Sequence, residues 1–291
     1  MDNPAAPQAE AERYAYMLAV TNPLREPLVR AAIARLSLPA GSRGLDVGCG
    51  LGLQALLLAE AVGRAGRVAG LDCCEPFLDL ARRRAREAGL AARLSFHHGD
   101  LAALPFPDGS FDWLWSADCA GYPAPDPDGL LRELVRVVRP GGLIALFFWS
   151  SQVLLPGYPW LEAQLNTTRS GLAPFAPEMA PRSHSLCALG WFRDAGLVDL
   201  GAETLAHAVS APLTPEVRAG LLALLWMRWQ GAEAELAPAD WAEYRRLCAP
   251  ESPDLIVDQP GYCAFWTCSL FYGRVAGASL KACVTARTGR G

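Results

Sequence analysis

The sequence predicts an α/β protein in which helices cover a mostly parallel sheet, and three observations point to this class. Short apolar runs alternate with amphipathic segments over residues 44–149. The first apolar run breaks into a glycine-rich turn, GLDVGCGLG at residues 44–52, where an amphipathic segment begins. A later run, LIALFFW at residues 143–149, is apolar throughout, as expected for a strand covered on both faces.

The glycine-rich turn is the first candidate binding site. Gly48, Gly50 and Gly52 lack the Cβ atoms that would keep a ligand away from the backbone. The helix that follows, LQALLLAEAV, directs its free amide groups and positive dipole end into the same space, which favours an anionic group such as a carboxylate. Asp46 and Cys49 border the turn, and the Asp46 carboxylate can accept hydrogen bonds there. A glycine-rich turn without a ligand is the alternative.

Acidic residues close the next two predicted strands. Asp72 follows the glycines at about the spacing, roughly 20 residues, at which an acid in a nucleotide-binding βαβ unit reaches the ribose hydroxyls. We expect Cys73 and Cys74 to flank the adenine as small apolar walls, and Asp100 with the Leu101 amide to contact the adenine edge. A helix N-cap is the alternative for Asp100, and metalloid binding is the alternative for the two cysteines.

The fourth predicted strand, Phe111–Trp115, leads into a polar segment. Its carboxyl end carries Ser116, Asp118, Cys119 and Tyr122. Ligands of open α/β sheets bind beyond the carboxyl ends of the strands, at the point where the strand order reverses. We therefore expect these side chains to face the reacting centre.

Composition narrows the class of protein. The chain has 291 residues, of which 52% are apolar, enough for a sizeable core. A net charge of −4 argues against a nucleic-acid-binding surface. No apolar stretch reaches the length of a membrane span and the N-terminus lacks the apolar core of a signal peptide, so we expect a cytoplasmic protein.

Its nine cysteines lack paired metal spacing and are expected to be reduced. Lys281 is the only lysine, which reflects genome composition, and we expect a bacterial source.

Four motifs in register resemble those of class I S-adenosylmethionine-dependent methyltransferases. They are GLDVGCGLG, the acid at Asp72, GDLAALPFPDGSFDWLW and LVRVVRPGGLIAL, and they are most similar to the ubiquinone and menaquinone biosynthesis C-methyltransferases. The resemblance covers residues 41–149 closely. It implies a Rossmann-like sheet of seven strands with a reversed last strand, and S-adenosylmethionine as cofactor. It also implies that the three glycines line the methionine and ribose, that Asp72 holds the ribose hydroxyls, and that Ser116 lies near the methionine end.

The remaining segments depart from the minimal family pattern. Two insertions, one after strand five and one between strands six and seven, are expected to form a helical cap over an apolar pocket walled by Trp160, Trp226 and Trp229. For each tryptophan, ordinary core or an oligomer interface is the alternative, and a homodimer stays open. The predicted division is an N-terminal helical lid broken by Pro23 and Pro27 (1–40), the cofactor-binding core (41–207) with a cap insertion (150–182), a second helical cap insertion (208–261), the last core strand (262–276) and a disordered tail (277–291).

These observations favour methyl transfer to a small, partly apolar or aromatic acceptor by in-line displacement. Because the methyl group is already activated, a base is needed only if the acceptor must lose a proton. Tyr122, His184 and His207 are the candidates for that base, although each histidine has a structural alternative. A nucleotide-dependent oxidoreductase and a non-catalytic regulatory or scaffold protein that binds S-adenosylmethionine are the competing hypotheses. No metal ligand set is predicted.

Overall fold

The computed structural model describes residues 6–277, and seven strands within that range form one sheet in the order β3-β2-β1-β4-β5-β7-β6. The pairs β1–β2, β1–β4, β2–β3 and β4–β5 are parallel, and β7 is antiparallel. The predicted fold class, including the reversed last strand, is confirmed. The strands are β1 (Arg43–Val47), β2 (Arg67–Asp72), β3 (Leu94–His98), β4 (Phe111–Ala117), β5 (Val138–Val153), β6 (Val198–Ser210) and β7 (Cys263–Arg274).

Helices connect the strands and fill both insertions. Within residues 6–277 they are α1 (Ala6–Leu36), α2 (Leu53–Ala61), α3 (Glu75–Glu87), α4 (Pro127–Val137), α5 (Pro159–Thr167), α6 (Arg169–Leu172), α7 (Ala188–Asp194), α8 (Pro215–Trp229) and α9 (Pro238–Cys248). No helix in this part of the chain is both long enough and apolar enough to cross a membrane. Most of the predicted disordered tail, residues 278–291, lies outside the described residues.

The first helix contradicts the sequence prediction at its prolines. α1 runs without interruption through Pro23 and Pro27, so the predicted break is wrong. A proline ring removes one backbone hydrogen bond and crowds the preceding turn, but it does not forbid a helix that packing supports. Leu24 and Leu28, which follow the two prolines, are buried, and this packing holds the helix together across them.

The chain forms two compact units. The larger comprises residues 32–148, 180–204 and 269–277 of the described chain. Its core lies between the sheet and helices α4 and α7, and it includes Leu45, Val47, Leu71, Leu114, Leu134, Ile144, Phe148 and Trp191. The register of this unit pairs Asp46 with Gly70 and with Trp115, and Asp72 with His98. The carboxyl ends of β1 to β4 therefore meet at one edge of the sheet.

The smaller unit comprises residues 6–31, 149–179 and 205–268 of the described chain. The three tryptophans predicted to form one wall lie in different environments within it. Trp229 is fully buried and donates to the Asn166 side chain, so it is a core residue. Trp160 is 74% exposed. The Arg13 guanidinium lies 3.9 Å above the Trp226 ring.

Candidate functional site

The glycine turn between β1 and α2 depends on backbone conformations that other residues adopt only with strain. Gly48, Gly50 and Gly52 have φ values of 73°, 50° and 73°. The amides of Gly48 and Cys49 both donate to the Leu71 carbonyl, at 2.8 and 3.0 Å, which fixes the turn to the end of β2. A Cβ atom on Gly50 would meet nothing within 4 Å. The turn is thus anchored on one side and open at its middle glycine.

Asp72, the last residue of β2, lies against this turn. One carboxylate oxygen, Oδ2, accepts from the Gly50 amide at 2.8 Å, and the other, Oδ1, accepts from the Cys74 amide at 2.9 Å. Two backbone donors therefore orient the carboxylate. The acid and the glycines, predicted separately from spacing, form one hydrogen-bonded unit.

Asp46 lies at the end of β1 and is 2% exposed. Its Oδ2 atom is buried and has no hydrogen-bond partner. Burial, together with the nearby Asp72 carboxylate, raises the pKa of Asp46 to about 8. At neutral pH the carboxyl therefore carries a proton. A buried oxygen without a partner at the end of a strand is uncommon in folded proteins and makes Asp46 a candidate for ligand contact.

Thiols surround the same turn. Cys49 is buried, Cys119 and Cys74 are partly buried, and Cys73 is exposed. Burial, together with the Asp46 and Asp72 carboxyl groups, raises the pKa of the Cys49 thiol. Partial burial, together with Asp72, raises the pKa of the Cys119 thiol to about 12. They are therefore neutral at physiological pH. Within residues 6–277, no three histidine, cysteine or acidic side chains lie close enough together to hold a metal ion.

Ser116 supports the site from within the protein. It is fully buried, donates to the Val47 carbonyl at 2.8 Å and accepts from the Ala120 amide at 3.0 Å. Its hydroxyl thus ties the end of β1 to the loop that follows β4. Both hydrogen bonds are to backbone groups, and the predicted place of Ser116 near the methionine end of the cofactor stays a prediction.

The loop after β4 has an unusual backbone. Asp118 has a φ of 45°, a left-handed conformation that is uncommon outside glycine, and its amide donates to the Phe147 carbonyl at 2.9 Å. The Tyr122 ring stacks on Phe148, with 5.9 Å between ring centroids. Strained backbone held by surrounding structure often marks a functional loop. Tyr122 is partly exposed on this loop, at the carboxyl end of the sheet.

Asp100 and Leu101 follow β3. Asp100 is exposed, and its Oδ1 atom accepts from the Ala102 amide at 2.8 Å in a local turn. Leu101 is partly buried and packs on the core of the larger unit. No helix forms between β3 and β4, where every residue is described, so the helix N-cap predicted as the alternative for Asp100 is wrong, and its carboxylate closes a turn instead.

The two candidate histidines have contacts of different kinds. His184 is exposed, and its Nδ1 atom accepts from the Leu186 amide at 3.2 Å, so it caps a short turn of the larger unit. His207 lies in the β6 segment of the smaller unit, with its ring centroid 5.3 Å from that of Trp266. A catalytic role for either one stays a prediction.

Several residues that support the site could not be identified from the sequence. The Trp115 indole donates to the Gln54 side chain at 2.7 Å and so holds the start of α2 against β4. Cys119 packs on the glycine turn so closely that a Cβ atom on Gly48 would lie 2.2 Å from its sulfur. Such contacts join residues far apart in the chain, and no local pattern indicates them.

Comparisons with known proteins agree with this geometry. A methyltransferase domain matches residues 45–142. The demethylmenaquinone methyltransferase of Geobacillus kaustophilus is 32% identical over 201 residues, which cover 64% of this chain and 82% of that protein. The methyltransferase GfsG of Streptomyces halstedii is 40% identical over 121 residues, 42% of each chain.

The solved structure of the Bacillus YcgJ protein is similar in fold, with a TM-score of 0.54 at 18% identity over 86% of this chain and 99% of that one. The Geobacillus relative is 32% identical, and the match covers 82% of its length. The site of this chain also has a glycine turn that is hydrogen-bonded to an acid at the end of the next strand. The chain belongs to the class I S-adenosylmethionine-dependent methyltransferases.

Proposed function

We propose that this chain transfers a methyl group from S-adenosylmethionine to a small, partly apolar or aromatic acceptor by in-line displacement. The observation that supports this most is the link between Asp72 and the glycine turn, in which the Gly50 amide donates to the carboxylate. A ligand whose ribose lies between an adenine and an amino-acid chain needs an acceptor for the ribose hydroxyls next to a turn that admits the chain. Family membership fits the same requirement.

The residues present fit the cofactor. Gly50 has open space beside it, and the buried Asp46 oxygen lacks a partner. The amides at the start of α2 suit the cofactor's carboxylate. We assign the methionine end to the glycine turn with Ser116 behind it, and the ribose and adenine to the ends of β2 and β3. The proposed contact residues are Asp46, Gly48, Cys49, Gly50, Gly52, Asp72, Cys73, Asp100 and Leu101.

When bound, S-adenosylmethionine supplies a methyl group already activated on a sulfonium sulfur. The chain then has to hold the acceptor in line and keep water out, and alignment of this kind lowers a barrier by roughly 7–11 kcal/mol. The thiols contribute by being unreactive. Because burial raises the pKa values of Cys49 and Cys119, neither is a thiolate that would compete for the methyl group.

The acceptor class follows from the side chains at the end of β4 and from one relative. Tyr122 is partly exposed beyond the end of β4, and its ring rests on the buried Phe148 ring, so Tyr122 offers an aromatic side chain that suits a flat, apolar acceptor. The relative from Geobacillus is named for demethylmenaquinone, a quinone. Tyr122 also offers a hydroxyl that can take part in proton transfer from such an acceptor. The helical cap over residues 150–182 and 208–261, and the histidine bases, stay predictions.

Isothermal titration calorimetry with S-adenosylmethionine, S-adenosylhomocysteine and NAD tests the cofactor. We expect binding of the first two, and tight NAD binding without them would reject the proposal. Asp72→Ala should weaken S-adenosylmethionine binding about tenfold or more, since it removes an acceptor of charged hydrogen bonds. Asp112→Asn is the matched control, because Asp112 also accepts a backbone amide, from Arg43 at 2.6 Å, but lies at the start of β4.

Methyl transfer is then measured with radiolabelled cofactor against quinols, phenols and other small aromatic compounds. Release of S-adenosylhomocysteine that depends on the acceptor supports an enzyme. Binding of the cofactor without turnover on any acceptor of these classes would favour the regulatory or scaffold alternative instead.

A further inference from the structure

Two adjacent thiols lie at the edge of the cofactor site. Cys73 is exposed and Cys74 is partly buried, and together they connect β2 to α3. Cys73 is therefore accessible to reagents and Cys74 is partly accessible, whereas Cys49 is buried and the Cys119 sulfur packs against Gly48. Among the described residues Cys263 is also exposed, but no cysteine stands next to it in the chain.

The peptide between the two thiols is held from both sides. The Cys73 carbonyl accepts from His98 Nε2 at 3.0 Å, and the Cys74 amide donates to Asp72 Oδ1 at 2.9 Å. The other oxygen of Asp72 accepts from Gly50, so this peptide is connected to the glycine turn through one carboxylate. A change in the peptide's orientation therefore alters the groups proposed to hold the cofactor's ribose.

We propose that Cys73 and Cys74 form a dithiol site for trivalent organoarsenicals, and that occupation of this site excludes the adenosyl cofactor. The second part rests on the proposed function. The reaction with an arsenoxide is a condensation. Two arsenic–sulfur bonds form, the arsenic–oxygen double bond and both S–H bonds break, and the oxygen leaves as water with the two thiol protons. Arsenic stays trivalent, so no oxidant or reductant is needed.

Two effects make arsenic and cofactor exclude one another. Both sulfurs must turn towards one arsenic atom. The ring that then forms includes the Cys73–Cys74 peptide, which is hydrogen-bonded to Asp72 and His98. Its closure disturbs the Asp72 hydrogen bond that orients the carboxylate. The organic group on arsenic also occupies the space beside Cys73 that we assign to adenine.

The test uses the full chain and phenylarsine oxide. Intact-mass spectrometry should show one adduct with loss of water, and peptide mapping should locate it at Cys73 and Cys74. Excess S-adenosylmethionine should slow its formation. The dithiol 2,3-dimercaptopropanol should remove it, whereas the same concentration of 2-mercaptoethanol should not. Cys73→Ser and Cys74→Ser should each abolish it, and the matched control Cys263→Ser should leave it unchanged.

Calorimetry on the adduct completes the test. The adduct should bind S-adenosylmethionine at least about tenfold more weakly than the untreated chain. An adduct mapped to other cysteines, or one at Cys73 and Cys74 that leaves cofactor binding intact, would overturn the inference. Failure of the untreated chain to bind S-adenosylmethionine would instead reject the proposed function, and adduct mapping would still decide whether the dithiol site exists.

Discussion

Replacing Asp46 with asparagine removes an ionisable group from beneath the glycine turn and keeps the shape of the side chain. The native carboxyl has its pKa raised from an ordinary 3.8 to about 8, by burial first and by Asp72 second. Between about pH 4 and 8 the native state therefore holds a proton that the unfolded state releases. The free energy of unfolding must fall as pH rises through this interval.

The size of this effect follows from the shift. Each pH unit corresponds to about 1.4 kcal/mol per proton, so a shift of about four units amounts to roughly 5 kcal/mol by pH 8. Asp46→Asn has no such proton to lose. The stability of the variant relative to the natural chain should therefore increase by several kcal/mol from pH 4 to pH 8.

Urea denaturation at a series of pH values, followed by tryptophan fluorescence, measures this difference. Asp112→Asn is the control with the opposite sign. Despite partial burial, hydrogen bonds from Arg43 and Arg139 lower the pKa of Asp112, so its stabilisation is lost only as pH falls below about 4. A difference between Asp46→Asn and the natural chain that stays constant from pH 4 to pH 8 would refute the reasoning.

Three further substitutions test separate parts of the site. Gly48→Ala places a Cβ atom 2.2 Å from the Cys119 sulfur at a φ of 73°, and it should abolish cofactor binding in calorimetry. Gly63→Ala is the control, because its φ is 70° but its Cβ atom would meet nothing within 4 Å. This variant has only the backbone strain and should bind the cofactor normally. Ser116→Ala leaves buried backbone groups unpaired and should lower the free energy of unfolding by about 1–3 kcal/mol in urea denaturation. Tyr122→Phe keeps the ring; if the hydroxyl assists proton transfer, kcat should fall about 100-fold while the KM for S-adenosylmethionine stays constant, and an unchanged kcat would exclude that role.

The sheet could be predicted from sequence because its signals are local. An apolar run, a glycine turn and an amphipathic helix follow one another within a few residues, and this order repeats along the larger unit. The spacing of Asp72 from the glycines also follows from the fold, since β1 and β2 are parallel neighbours and end at the same edge. In the structure the Gly50 amide donates to Asp72 at that edge, a contact that the spacing alone does not specify.

Other features depend on contacts between distant residues and could not be predicted. The helix through Pro23 and Pro27 continues because buried side chains hold it, which no local rule for proline anticipates. Trp229 has the same residue type as Trp160, yet one is fully buried and the other is 74% exposed. The sequence predicts that Asp46 is an acid at the end of a strand. It does not predict that the Oδ2 atom is buried without a hydrogen-bond partner, which depends on the packing around it.

The charge of the site explains why this glycine turn suits a sulfonium cofactor better than a dinucleotide. Within residues 6–277 neither Asp46 nor Asp72 forms an ion pair, and the neighbouring buried thiols are neutral. A pyrophosphate at this turn would add negative charge beside the Asp72 carboxylate in a medium that screens it poorly. A cofactor with a sulfonium and an ammonium brings positive charge to the same place, and its carboxylate can still meet the amides of α2. Its arrival would favour the ionised form of Asp46, so binding should release a proton and strengthen as pH rises towards 8.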